Sequence, residues 1–323
     1  MSYKVKELAP DSKLNARVME LELSGKKIVT PSKTIDNSKA TVSEVNEISI
    51  TLSPKTIAST IEDGDTVLRK LHRKIIEDMR ILNVVIPEYP AIGFEKRHLE
   101  TIDDYLHPLS DVIVVPKWSG ILSAKKDSML DDLKIHSKKY IDEANIRNGK
   151  LIMGNIPMTV SDKIVNGLVD FYLSEGIHSF VLDFNNGLLT KNSNVVRSIQ
   201  KKLDSEKLSE SSLLYSTNIR GRTLVDDYYT ANDFIAFGYG VDLMGNYHMR
   251  GRENKDKPIK NWTFNPEEYT YEEVPMLVPK SSINKIENEE AKKISQEIIE
   301  TGTAYDVVKD KKGAKEIIDL KNA

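Results

Sequence analysis

Asp183 ends an apolar run, Phe180-Val181-Leu182, and is followed closely by Asn185, Asn186 and Gly187. A carboxylate placed where a buried strand stops can act as a base, a nucleophile or an acceptor for the edge of a purine. Asp242 has a similar setting in Gly240-Val241-Asp242, and His248 follows shortly after. Asp183 and Asp242 are therefore the candidate catalytic groups. Polar residues recur where other apolar runs end: Glu88, Lys117, Trp118, Ser119, Asn155, Asn218, Arg220, Arg222 and Tyr239. Of the strand-end set, Trp118, Ser119, Asn155, Asn185, Asn186, Tyr239 and His248 are read as substrate-binding, with the indole available to stack on a flat ligand. Each has a plainer alternative, because strand-end polar groups also cap helices and loops, and a Trp beside a strand also packs in cores. The stretch RGRENKDKPIK (250–260) carries five Lys/Arg against two acids. Its Arg250, Arg252, Lys255 and Lys257, with Arg220 and Arg222, are candidate phosphate contacts, against the alternative of a solvated loop.

Composition narrows the chemistry. The chain of 323 residues has no Cys, so disulfides, thiolate zinc sites and a Cys nucleophile are excluded. Its six His form no pair at helical metal-ligand spacing, so no metal and no cofactor are assigned, while zinc held by scattered His and carboxylates stays open. The net charge of −3 gives no global attraction to nucleic acid, so such a surface must be local. No apolar run approaches the roughly 18 residues that cross a bilayer, and MSYKVKELAPDSK lacks the apolar core of a signal peptide. The expectation is a cytoplasmic protein with no membrane partner. The sequon Asn261-Trp262-Thr263 is read as chance.

These residues need elements to position them. Residues 16–36 read as a β-hairpin turning at Ser24-Gly25, and Ile48, Ile50 and Leu52 alternate as in a strand. A helical stripe follows over 65–82. Strands are then expected at 83–89, 111–118, 150–158, 179–187, 212–221 and 233–244, separated by amphipathic helices over 127–147, from Ser161-Asp162 to Gly176, and around Val195–Leu203. Continuous apolar strands alternating with such helices imply a parallel sheet covered on both faces. An open doubly wound sheet also satisfies this. No G-x-G-x-x-G follows the first strand and polar residues collect at strand ends, which favours an α/β fold of the (β/α)8 TIM-barrel type. The expected organisation is an N-terminal β-hairpin segment (1–40), a barrel (41–275) and a C-terminal helical extension (276–323) whose charge suggests a surface appendage.

Several segments resemble the tRNA-guanine transglycosylase family, which includes queuine and archaeosine tRNA-ribosyltransferases. GKKIVTPSKTID is similar to its N-terminal hairpin, which ends in Thr-Pro. LIMGNIPMTVSDKIVNGLVDFYLSEGIHSFVLDFNNGL resembles a strand–helix–strand unit with a base-binding turn, DFIAFGYGVDLMGNYHM a late strand of pattern G-x-D-x-F-D, and NWTFNPEEYTYEE the segment after it. The resemblance spans most of 16–275. It implies exchange of a guanine for a 7-deazaguanine in tRNA or DNA through a carboxylate nucleophile, without a redox cofactor, by a homodimer or a heterodimer with a catalytic paralogue. The chain departs from the pattern in three places. The nucleophilic Asp falls at Gly245, Trp118 stands where an Asp-Ser-Gly-Gly-Phe motif has its Asp, and the C-terminal zinc Cys cluster is absent. Nucleophilic chemistry here would then fall to Asp183 or Asp242. The alternatives are a catalytically silent paralogue that binds nucleic acid or a partner subunit, and an unrelated barrel enzyme acting on a small polar metabolite. Convergence of Asp183, Asp242 and Trp118 in one pocket would favour the enzyme; a pocket filled by Trp118, Phe184 and Met244 would favour the silent paralogue.

Overall fold

The computed structural model describes residues 3–35, 44–63, 69, 71–147, 149–248 and 261–322. An antiparallel sheet of β1 (Lys4–Pro10), β2 (Arg17–Leu23) and β3 (Lys26–Val29) opens the chain. The hairpin is β2–β3, turning at Ser24 and Gly25, both with positive φ. Eight parallel strands follow: β4 (Ser32–Lys33), β5 (Val45–Thr51), β6 (Leu82–Glu88), β7 (Val112–Val114), β8 (Leu151–Pro157), β9 (Phe180–Asp183), β10 (Leu214–Thr217) and, after the hairpin β11 (Arg222–Val225)–β12 (Tyr228–Ala231), β13 (Leu243–Met244). Their order is β4-β13-β10-β9-β8-β7-β6-β5. The sheet curls until its edges meet at a bridge between Ile35 and Asn46, where Ile35 N–H donates to Val45 O at 2.9 Å and Glu47 N–H to Ile35 O at 2.7 Å. The result is a barrel-like sheet flanked by helices. β12 also pairs in a small antiparallel sheet with β14 (Asn261–Asn265) and β15 (Thr270–Val274).

Strand alternation sorts the side chains into two cores. Along β6, Leu82, Val84 and Ile86 join an inner cluster with Val45, Val112, Met153, Val181 and Tyr215, while Val85 joins the outer one. Met19, Leu21, Leu23 and Ile28 of the hairpin belong to the inner cluster. The hairpin therefore plugs the end of the barrel where the strands begin. The outer core takes α1 (Pro54–Asp63), α2 (Lys96–Leu106), α3 (Ser119–Ala124), α4 (Met129–Arg147), α5 (Asp162–Ser174) and α6 (Ser193–Ser205). Val165, Leu168, Val169 and Tyr172 of α5, and Val196, Ile199 and Leu203 of α6, are buried at helical spacing. Each such side chain contributes roughly 1.5–3 kcal/mol of burial.

Three local expectations change. Of the helix expected over 65–82, the described residues 69, 71 and 72 are helical and 75–78 are irregular, while a separate helix runs over Pro54–Asp63. The Asn83 amide accepts from Ile76 N–H and donates to Ile76 O, both at 3.0 Å, which ties the chain down in a non-helical path into β6. The strand expected over 233–244 is mostly a 3-10 turn, Ile235–Tyr239, stopped by Gly240 at φ 84°; only Leu243–Met244 pairs. The first terminal helix, α7 (Lys280–Thr301), is part of the barrel wall and not a surface appendage. Its Asn288 amide accepts from Lys33 N–H at 3.0 Å and donates to Lys33 O at 2.8 Å, and Asn284 donates to Thr34 O at 2.8 Å. Ala291, Ile294 and Ile298 bury behind them. α7 covers the short β4 through asparagine amides and carries its apolar side chains beside them. Two short helices, α8 (Tyr305–Val308) and α9 (Lys315–Asn322), complete the chain.

Asp242 sits just before β13, at the plugged end. It accepts from Arg17 Nε and Nη2, each at 2.8 Å, and from Leu214 N–H at 2.7 Å, and it is buried. Arg17 also reaches Ser209 O at 2.6 Å and Ser212 O at 3.1 Å. This fork pins the hairpin to the barrel. Asp242→Ala leaves a guanidinium buried without its carboxylate and is expected to remove roughly 3–5 kcal/mol of stability. Chemical denaturation of the variant against wild type measures it, and a loss below about 1 kcal/mol would contradict the clamp.

Candidate active site at the barrel mouth

At the opposite end the strands stop in polar groups. Asp183 closes β9 with its side chain turned inward, where the alternation that sends Val181 into the inner core places it. Lys117 Nζ lies 2.6 Å from Asp183 Oδ2. Asn218 Nδ2 and Asn185 N–H both donate to Oδ1 at 3.0 Å. Lys117 Nζ also reaches Asn185 Oδ1 at 3.3 Å. Asn185, Asn186 and Asn218 have φ of 45°, 67° and 57°, a left-handed conformation that Asn tolerates better than most residues. The turn is therefore shaped by its asparagines and fixed by the carboxylate it encloses. Lys117 is set by β6, its N–H donating to Pro87 O at 2.8 Å and its carbonyl accepting from Tyr89 N–H at 2.8 Å, which puts Glu88 beside it. Glu88, Lys117, Ser119, Pro157, Asp183 and Asn185 line a cleft of about 630 Å³. That volume suits a nucleoside-sized ligand.

A second carboxylate, Glu47, is buried without solvent contact. It collects donors from across the mouth: Tyr215 OH at 2.5 Å, Thr34 Oγ1 at 2.7 Å, Asn246 N–H at 3.0 Å, Thr217 Oγ1 at 3.1 Å, and the His248 Nε2 imidazole. Burial opposes its ionisation, but the His248 charge and the hydrogen bonds from His248, Tyr215 and Thr34 outweigh that and hold its carboxyl at about 2. Gly245 makes room for it. A Cβ there would lie 2.1 Å from Ser216 O and 2.7 Å from Glu47 Oε2. The position where the family resemblance puts its nucleophile is thus closed to any side chain, and the Glu47 carboxylate lies against it. Asn218 joins the two centres, its amide oxygen accepting from His248 N–H at 2.9 Å while its nitrogen donates to Asp183.

The mouth gathers Ser119, Asp183, Asn185, Asn186 and His248 from the candidate residues, with Asn155 on the inward phase of β8 beneath them. Asn155 is buried and its Nδ2 has no hydrogen-bond partner among the described residues. Ser119 Oγ donates to Tyr89 O at 3.4 Å. Asn186, Arg220 and Arg222 line a neighbouring concavity. Three candidates lie elsewhere. Asp242 is at the plugged end in the Arg17 clamp, because the strand begins after it instead of ending before it. Trp118 follows inward-facing Lys117 and so points outward. It is buried against Phe94, stacked at 5.5 Å, with Nε1–H donating to Ser137 Oγ at 3.1 Å. Tyr239 is buried in the 3-10 turn, its carbonyl accepting from Gln200 Nε2 at 3.1 Å. Arg250, Arg252, Lys255 and Lys257 lie outside the described residues. Asp183, Asp242 and Trp118 do not converge, and Trp118, Phe184 and Met244 pack in the outer core instead of filling the mouth. Glu47 was legible only as the polar phase opposite Ile48 and Ile50, in the order Val45, Glu47, Ser49, Thr51.

Among the described residues, no group of three or more His, Asp or Glu could hold a metal ion, and no helix is long and apolar enough to cross a membrane. No family model and no curated protein matches the chain.

Two outcomes follow from Glu47. Its folded value lies below its ordinary 4.5, so its stabilising contribution is complete above about pH 4.5 and is lost as pH falls toward 2. That contribution is on the order of 3 kcal/mol. Urea unfolding between pH 6 and about 2.5 should show wild type losing stability more steeply than Glu47→Gln; equal slopes would contradict this. Gly245→Ala should cost about 1–3 kcal/mol through overpacking against the Ser216 carbonyl, read as a lowered thermal midpoint. An unchanged midpoint would show that the space is not closed.

Proposed function

We propose that this chain is a TIM-type (β/α)8 barrel enzyme of transglycosylase character. In this reading it exchanges guanine for a 7-deazaguanine in tRNA or DNA, with Asp183 as nucleophile. The observation that carries the reading is a buried carboxylate at a strand end, facing a cleft, with an ammonium at 2.6 Å and a second carboxyl, Glu88, in the same lining. Asp183 Oδ attacks C1′ of the extruded nucleoside and the C1′–N9 bond breaks. The departing guanine takes a proton at nitrogen, for which the Lys117 ammonium is the donor lining the cleft. The incoming base gives up its own N–H proton to the Lys117 amine that protonated the guanine, attacks C1′ and releases the Asp183 carboxylate. Bonds and protons balance without a redox partner. Asn155 and Asn185 supply amides for the purine edge, and Asn218 and Asn185 N–H hold the nucleophile in aim. Preorganised hydrogen bonds of this kind avoid reorganisation during the reaction.

A second reading, a non-catalytic paralogue of such enzymes that binds nucleic acid or a catalytic subunit, draws on Gly245. The position the family resemblance gives to the nucleophile carries no side chain here, and the nearby Glu47 is sealed from solvent. Incubating the protein with bulk tRNA, and separately with duplex DNA, plus radiolabelled guanine distinguishes the two. The enzyme reading expects label in one nucleic acid and at least about a thousand-fold loss in Asp183→Asn. Absence of label in both, with folded protein, would leave the non-catalytic reading.

A further inference from the structure

Across the Asn185–Asn186 turn from the Asp183 cleft lies a second concavity of about 330 Å³. Its floor carries two acids already engaged: Lys33 Nζ is 2.6 Å from Asp233 Oδ2, and the Tyr271 hydroxyl lies 2.5 Å from a Glu287 oxygen and 3.0 Å from an Asp233 oxygen. Burial and these facing carboxylates push the Tyr271 phenol well above its usual range, so it stays a donor. The rim carries exposed cations. The Arg222 guanidinium lies 4.3 Å over the Trp262 ring, which Tyr229 braces edge-on at 4.7 Å. Arg220 is tied to the catalytic turn, its N–H donating to Gly187 O at 3.0 Å, and its carbonyl accepts from Asn232 Nδ2 at 3.0 Å.

We infer that the Arg220-Gly221-Arg222 rim, with Trp262, binds a backbone phosphate of a nucleic-acid strand whose adjacent nucleotide enters the Asp183 cleft. The inference rests on the base-exchange reading for what occupies that cleft. A guanidinium stacked on an indole is held flat, with its N–H edge directed outward to meet phosphate oxygens in a fork. The chain's net charge is −3, so attraction must be local, and here two exposed cations stand at the rim while Asp233 beneath them is paired with Lys33. Two concavities on either side of one rigid turn describe the path of a strand better than a seat for a free phosphate.

Fluorescence anisotropy with a fluorescein-labelled single-stranded RNA oligonucleotide tests it on the full chain. Wild type should bind the oligonucleotide. Arg220→Ala/Arg222→Ala should bind at least about tenfold more weakly, with a log–log salt dependence shallower by about 1–2, since two phosphate contacts are removed. Both side chains are exposed, so the double variant should stay folded, with the thermal midpoint lowered only by the loss of the Arg222–Trp262 contact. Arg222→Lys, which keeps charge but loses the planar stack, should fall between. No binding by wild type, or binding and salt slope unchanged in the double variant, would overturn the inference. So would competition by GMP or inorganic phosphate at concentrations equal to the unlabelled oligonucleotide, which would assign the rim to small phosphates. Arginine-dependent binding without guanine exchange would sink only the catalytic reading, whereas exchange with arginine-independent binding would sink only the phosphate site.

Discussion

A carboxylate buried in a barrel must take its donors from the protein, and Glu47 takes them from the segments that meet at the barrel's seam. Thr34 follows β4, Tyr215 and Thr217 belong to β10, and Asn246 and His248 follow β13. The strands there are short, with β4 and β13 two residues each, and the edge strands meet at one bridge. Backbone pairing alone is therefore thin where the sheet closes. The Glu47 network does for the seam what longer ladders do elsewhere. A buried polar cluster of this kind specifies one arrangement as long as each member is satisfied, and loses stability sharply when one is removed.

The two ends of the barrel are built by different physics. Where the strands begin, the hairpin fills the bore with Met19, Leu21, Leu23 and Ile28 and is locked by the Arg17–Asp242 fork. Where they end, the bore is polar and opens to a cleft. The apolar plug makes one end structural and leaves chemistry to the other, in keeping with the division of labour in parallel barrels. Glu47 and Asp183 share the mouth but differ in role. Glu47 is sealed and organises His248 and the loop after β13. Asp183 is buried too but belongs to the lining of the cleft, held there by Lys117, Asn185 and Asn218.

Much of this was legible in the residues. The alternation of apolar strands and striped helices gave the parallel sheet, and the polar end of Phe180-Val181-Leu182-Asp183 gave the mouth. The failures have local causes. Asp242 was misplaced because Phe234–Tyr239 reads as a strand by apolar content but turns as a 3-10 segment, which reverses the end of the barrel it marks. Trp118 was read as a ligand platform because the inward neighbour, Lys117, decides its direction, and that needs the strand register. α7 was read as an appendage because asparagine amides make its contact with β4. Glu47 escaped notice because a carboxylate near the start of a strand gains meaning only when three distant segments supply its donors.

The central claim is that the Asp183 carboxylate forms the bond to the sugar. Its most direct measurement is peptide mass spectrometry of protein acid-quenched during turnover with the nucleic acid that supports guanine exchange. The account predicts a ribosyl adduct on the peptide containing Asp183. An adduct confined to another residue, Glu88 for instance, or none while exchange proceeds, would contradict it.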